Sequence, residues 1–202
     1  MSTQSGGLVT KKAKILKSAA KLFAEKGFND TSTCEVAEAA GVAHGTVFYH
    51  FKSKEGLLSA MYESLIDEYM TGLKSVSAFA ENGLKGVESM LFFHSVFADK
   101  YRSEFTVMHR DMPSFLCEKT CGWYKKMTDN SKKSISIIAD AIRRGQADGS
   151  ISNELEPETS ALTLKALLTG MTRMKYLSMV DTAYDFKGAA EFCLSALRNR
   201  EE

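Results

Sequence analysis

Two prolines in 202 residues leave this chain very little with which to stop a helix. Proline is the strongest helix breaker, because it lacks an amide N–H and its ring collides with the preceding turn. The apolar residues recur at helical spacing. In Lys11–Lys26, Ile15, Ala19, Leu22 and Phe23 fall at i, i+4, i+7 and i+8, a single stripe along one helix. Thr10 stands at the N-cap of that stretch and Gly27 at its C-cap. The same pattern predicts a second helix from Thr33 to the residue before Gly41 and a third over His44–His50. A long fourth helix follows, capped by Ser53 and running to about Ala80, with Leu57, Leu58, Met61, Leu65 and Tyr69 as its inner stripe. Further helices are expected over Leu84–Arg110, Trp123–Gly145, Pro157 to about Val180, and Tyr184–Arg198, with a break at Pro113 and a loop over Gly145–Glu156. No segment alternates as a strand does, so the expected fold class is all-α.

Composition narrows the class further. Hydrophobic residues make up 44% and charged residues 25%, the balance of a globular chain able to bury a core without disulfides. No apolar run approaches the ~20 residues of a membrane span. Met1–Thr10 is small and polar, with no apolar core of a secretory signal, and is expected to be a flexible arm. The four cysteines, Cys34, Cys117, Cys121 and Cys193, are therefore expected as free thiols of a cytoplasmic protein. The net charge of +1 hides an asymmetry: residues 1–60 hold eight Lys against five Asp and Glu, and the remainder is slightly acidic. A basic head suits a phosphate-binding end.

The most informative stretch is TCEVAEAAGVAHGTVFYHFKSK, Thr33–Lys54, which reads as helix, tight turn, helix. Ala37 supplies the small residue that two crossing helices need, Gly41 a residue tolerant of φ > 0, and Val47 an apolar anchor for the second helix. Val36, Ala40 and Val42 complete a small inner face. The outer face of the second helix then holds His44, Gly45, Thr46, Tyr49 and His50: donors, acceptors and an aromatic ring, with no acid. Such a face suits a helix lying in the major groove of DNA. The Thr33 hydroxyl, as cap of the preceding helix, and the Lys54 ammonium can meet phosphates. For His44 a base contact and a solvated side chain weigh evenly. Phe51 is expected in the core.

The segments FAEKGFNDTST (Phe23–Thr33) and VAEAAGVAHGTVFYHFKSKEGLL (Val36–Leu58) resemble the TetR/AcrR family of bacterial transcriptional regulators. The resemblance is specific over about residues 11–60. Beyond them it rests on helix lengths and on AIRRGQADGSI followed by a helix that starts with proline. It implies a flexible arm (1–10), a three-helix DNA-binding domain (11–55) and a helical effector-binding and dimerisation domain (56–202), with the long fourth helix joining the two. It also implies a homodimer formed mostly through the last two helices. By position, Thr33, His44, Gly45, Thr46, Phe48, Tyr49, His50 and Lys54 form the implied DNA-facing set. Ala43 stands where the family often has Ser or Thr, and Phe48 where it often has Tyr, so a cap and a hydroxyl are absent.

The C-terminal part is rich in Met and Phe. Most of these side chains are expected in plain core, but Met also fills adaptable cavities. The expected effector is a mainly apolar or aromatic small molecule, contacting Phe93, Phe97, Trp123, Met127 and Met171, with His94 as a polar anchor. Cys117 and Cys121, at i and i+4 with His109 nearby, make a weak metal pattern, and no metal or cofactor is expected. The predicted function is a ligand-released repressor that binds a palindromic operator as a homodimer. Two other readings stay open on sequence alone: an enzyme using His94 or His109 as base, and a scaffold that no longer binds DNA. No nucleophile motif, phosphate-binding glycine loop or HExxH pair occurs, so an enzyme is not expected.

Overall fold

The computed structural model describes residues 10–110, 122–179 and 186–199. Among them the chain is helical, and the only β-type pairing is an isolated bridge between Ile151 and Arg198. The helices are α1 (Lys11–Lys26), α2 (Thr33–Ala39), α3 (His44–Phe51), α4 (Lys54–Ala78), α5 (Gly83–Lys100), α6 (Arg102–Arg110), α7 (Gly122–Ala147), α8 (Pro157–Tyr176) and α9 (Phe186–Leu197). The expected arm, the break at Pro113, and Cys117 and Cys121 lie outside the described residues. Two compact units divide the chain after Ser64, inside α4, whereas the sequence pattern places the division near the start of that helix.

In the first unit α1 begins as its sequence dictates. The Ala13 N–H donates to Thr10 Oγ1 at 3.2 Å, and Ile15, Ala19 and Phe23 are fully buried. Gly27 ends the helix at φ 95°, and the Phe28 ring then meets Phe23 edge-on, with centroids 5.3 Å apart. Helix α2 packs against α3, and Ala37 and Val47 are both buried. Gly41 makes the turn at φ 64°, in the left-handed region that glycine enters at little cost.

The second unit is a helical bundle. Leu73, Met90, Ile138, Ile142, Leu164 and Leu194 sit in one continuous buried cluster. A second cluster forms around Phe97, Phe105 and Tyr176. The expected single helix over Leu84–Arg110 is in fact two. Tyr101 leaves helical geometry at φ −109° and ψ 35°, while its ring packs 4.6 Å from Phe97 and its hydroxyl donates to Glu68 on α4. Tertiary anchoring of one aromatic side chain overrides a helical sequence pattern. Helix α7 also runs past its expected end at Gly145, and the turn is made by Gly149 at φ 81°. Glu156 caps α8, accepting from the Glu158 and Thr159 amides, and Pro157 takes the first turn. That helix ends at Tyr176, short of the expected Val180.

Gly83 and Gly145 bring α5 and α7 into backbone contact. A β-carbon on Gly83 would lie 1.9 Å from the Gly145 nitrogen and 2.5 Å from the Ala141 carbonyl oxygen. Both obstacles are main chain, so no rotamer change relieves them. Gly83→Ala should therefore destabilise the protein by ~1–3 kcal/mol, as overpacking does. Chemical denaturation checks this: the midpoint should fall with an unchanged slope.

Candidate functional sites

The first site is the surface around the start of α3. Ser32, not Thr33, caps α2. The Glu35 amide donates to Ser32 Oγ at 3.2 Å, and the Ser32 amide donates back to Glu35 Oε2 at 2.8 Å, which closes a capping box. Lys26 Nζ donates to the other Glu35 oxygen at 2.6 Å. Together these bonds, that from Lys26 first, hold the Glu35 carboxyl at about 2, well below the ordinary carboxylate range. The acid is thus engaged in local structure. Thr33, moved to the first helical position, shares a hydrogen bond of 3.0 Å with His44 Nε2, which ties the start of α2 to the start of α3.

Ala43 leaves α3 without a side-chain cap, as its sequence implies. The Thr46 amide turns back onto the Ala43 carbonyl at 2.8 Å, and no side chain caps the amides before it. Val47 and Phe51 anchor the inner side of α3, and Phe48, Tyr49 and His50 stand exposed on the outer one. Tyr49 is 72% exposed, high for an aromatic ring. Gly45 is also exposed, with open space where a side chain would be. Thr46 is half-buried.

A groove of about 490 Å³ runs beside this helix. It gathers Thr33, His44, Phe48 and Lys54 of the predicted set on one concave surface. Gly45, Thr46, Tyr49 and His50 lie outside its lining. Lys54 is less available than expected: its ammonium donates to the Phe28 carbonyl at 2.9 Å and the Asn29 carbonyl at 3.0 Å, and lies 4.7 Å from the Phe28 ring centroid. Two of its three N–H groups pin the 28–29 loop. Lys52 is a basic residue that sequence reasoning missed. It lines the same groove, is exposed, and has its ammonium 5.5 Å from the Tyr49 ring centroid. The run Phe-Lys-Ser-Lys at the end of α3 carried that signal. One acid, Asp30, also lines the groove.

The second site is a cavity of about 240 Å³ inside the C-terminal unit. Leu65, Tyr69 and Met70 of α4 and Phe97 of α5 form part of its apolar wall, with Phe105 and Met108 of α6 and Met127 of α7. Of the predicted effector contacts, His94, Phe97 and Met127 line it, and Phe93, Trp123 and Met171 do not. The Phe93 ring instead fills the space over Gly72, where a β-carbon would lie 2.2 Å from its Cζ. Trp123 is buried away from the cavity lining.

His94 differs from its predicted role as polar anchor. Nδ1 and the Tyr69 hydroxyl are 3.1 Å apart, and Nε2 lies 2.9 Å from Thr172 Oγ1. Thr172 gives its own proton to the Leu168 carbonyl at 2.8 Å, so it accepts from Nε2–H, and Nδ1 accepts from Tyr69. The ring is neutral, and burial depresses its pKa to about 4. It has no lone pair left for a ligand or for proton transfer. The polar residues that sequence reasoning missed are Lys165 of α8 and Asn130, Ser131 and Ser134 of α7. Lys165 donates to Ser134 Oγ, which passes its own proton to the Ser131 carbonyl at 2.8 Å. A lone lysine on a helix facing an apolar core gives no sequence signal that separates it from a solvated one. No cluster that could hold a metal occurs among the described residues.

The family model described as "Bacterial regulatory proteins, tetR family" matches residues 15–61. The HTH-type transcriptional regulator TtgR of Pseudomonas putida is 26% identical over 186 residues, covering 89% of this chain and 86% of TtgR. The HTH-type transcriptional repressor KstR2 of Mycobacterium tuberculosis is 23% identical over 156 residues, covering 77% of this chain and 76% of KstR2. The solved structure of the ketosteroid transcriptional regulator KstR2 has the same fold, with a TM-score of 0.74 over 98% of this chain and all of that one, at 15% identity.

The capping box predicts its own test. Ser32→Ala leaves the Glu35 amide without its acceptor and should cost about 1 kcal/mol of stability, measured by thermal or denaturant unfolding. Ser32→Thr, which keeps a hydroxyl able to accept from the Glu35 amide and to donate to the Glu35 carboxylate, should restore most of the loss.

Proposed function

We propose that this chain, whose residues 15–61 match the model of bacterial tetR-family regulatory proteins, acts as a repressor, binding a palindromic operator as a homodimer and released by a small, mainly apolar effector. The observation that carries the DNA-binding part is the outer face of α3. It is uncapped, free of acids, and exposes Tyr49 beside a groove with two lysines. Thr33 and Lys52 are assigned to phosphates, with the remaining N–H of Lys54. His44, Gly45, Thr46, Phe48, Tyr49 and His50 face base edges and the adjoining backbone. The bond between Thr33 and His44 favours binding by fixing both side chains before DNA arrives.

The experiment is a binding titration against DNA flanking the protein's own gene and against random duplex. Lys52→Ala should weaken both about equally. It should also lower the salt slope by ~1 for each phosphate that a subunit no longer neutralises. Tyr49→Ala should weaken the flanking site more than random DNA. Equal weakening on both duplexes for Tyr49→Ala would remove that residue from base readout.

The dimer is assigned to the last two helices, through the side chains they leave exposed. Ala190, Cys193, Leu194 and Leu197 are buried in the subunit's own core. What α8 and α9 leave outside is Leu162, 55% exposed, and Phe192, 69% exposed, with Ala166 and Gly170 also on the surface. Exposed large apolar side chains of this kind favour a partner surface. Phe192→Glu should therefore yield monomers by sedimentation with the helical content intact, and DNA affinity should collapse once the second half-site is no longer held. A variant that remains dimeric places the interface elsewhere.

Release follows from α4. That helix starts beside the groove with Lys54 and supplies Leu65, Tyr69 and Met70 to the cavity wall. An effector that displaces those side chains would shift α4 and change the spacing of the two recognition helices. That spacing must match one DNA turn, ~34–36 Å. Differential binding of ~1–3 kcal/mol between the two states is enough for a switch.

A further inference from the structure

The effector cavity is mostly hydrocarbon, yet its ionisable lining is one-sided. Lys165, His94 and His109 carry basic groups, and none of its described lining residues carries a carboxylate. Lys165 comes from α8 and is half-buried, with Ser134 Oγ as its hydrogen-bond partner. Since Ser134 already donates to the Ser131 carbonyl, two ammonium N–H groups of Lys165 remain without an acceptor among the described residues. Asn130, one turn before Ser134 on the same face of α7, adds an amide to that wall. On α6, Nε2 of His109 is buried in the cavity lining with no hydrogen-bond partner among the described residues.

We propose that the effector is an amphiphile with a single anionic group, a carboxylate or its like, which pairs with the Lys165 ammonium while its apolar body lies against Phe97, Phe105 and Met127. The inference rests on the reading of this cavity as the effector site. Its physical basis is the cost of what is already buried. An ammonium with one neutral partner in an apolar wall is poorly solvated, and burial lowers the Lys165 pKa to about 8. A carboxylate restores the missing solvation through charge-assisted hydrogen bonds. An uncharged ligand of the same shape would cover the ammonium without pairing it. The volume, on the order of eight waters, suits a medium-length acyl chain or a small aromatic acid.

The pH dependence has a definite sign. Facing Lys165 are His94 from α5, neutral with its pKa near 4, His109 from α6, lowered by burial, and Tyr69 from α4, raised by burial. Among the described residues, Lys165 is therefore the facing group that titrates between pH 7 and about 9.5. The anion binds the protonated lysine. Its affinity should be level below pH 8 and fall above it, by up to about tenfold per pH unit.

The test uses the full-length protein and matched pairs: octanoate against 1-octanol, and 2-naphthoate against 2-naphthalenemethanol, measured by calorimetry. At pH 7 each acid should bind about tenfold or more tightly than its alcohol. Lys165→Met should abolish that preference and leave the alcohols unchanged. The fall above pH 8, seen for acids alone in the unaltered protein, gives a second readout that needs no variant. Equal binding of acid and alcohol with no pH trend overturns the anionic group and leaves the apolar cavity reading standing. Binding of neither member of either pair overturns the cavity reading and this inference with it.

Discussion

The packing of α2 against α3 is the constraint on which the exposed outer face of α3 depends. Ala37 is small enough to let the helices approach, Gly41 accepts the positive φ of the turn, and Val47 fixes the rotation of α3 about its axis. With Val47 and Phe51 turned inward, helical periodicity leaves Phe48, Tyr49 and His50 no choice but to face outward. A larger residue at Ala37, or a β-branched one at Gly41, would rotate or separate the helices and scatter that face. The capping box at Ser32 and Glu35 and the lysine that pins the 28–29 loop serve the same geometry. They place the start of α2 and engage the nearest acid internally.

The C-terminal unit works by a different principle. Its walls are aromatic and Met side chains, and its polar groups are arranged in chains. One runs from Tyr69 through His94 and Thr172 to the Leu168 carbonyl, every proton accounted for. The other runs from Lys165 through Ser134 to the Ser131 carbonyl and starts at an ammonium with donors to spare. A satisfied network rigidifies, whereas an unsatisfied one marks where a ligand can gain. The same contrast weighs against His94 as a catalytic base, since its basic nitrogen is already occupied.

Much of the N-terminal unit was legible in the sequence because its determinants are local. Caps, a turn glycine and a stripe with helical period are read from neighbours a few residues apart, and Thr10, Gly27, Gly41 and Phe51 stand as read. Even the slip from Ser32 to Thr33 as cap is a shift of one position. The C-terminal unit was less legible because its determinants are distant. The break at Tyr101 depends on Glu68, the burial of Leu194 on the bundle beneath it, and the cavity wall on residues from five helices. Composition suggested an apolar interior, but Phe93, Trp123 and Met171 do not line the cavity found there, and the lysine that gives the cavity its charge looks in sequence like any solvated helix residue. Lys54 shows the same limit in the N-terminal unit, since its engagement with the loop carbonyls is invisible until the chain is folded.

The central claim is that occupancy of the cavity and occupancy of DNA are energetically coupled. Linkage makes this testable without knowing the natural effector, because the coupling must be reciprocal. The affinity of one cavity-binding compound is measured for the protein alone and for the protein saturated with its flanking duplex, and the duplex affinity is measured with and without that compound. The account predicts that each ligand weakens the other by the same factor, on the order of 5- to 150-fold. A compound that binds with equal affinity to the free and DNA-bound protein would contradict it.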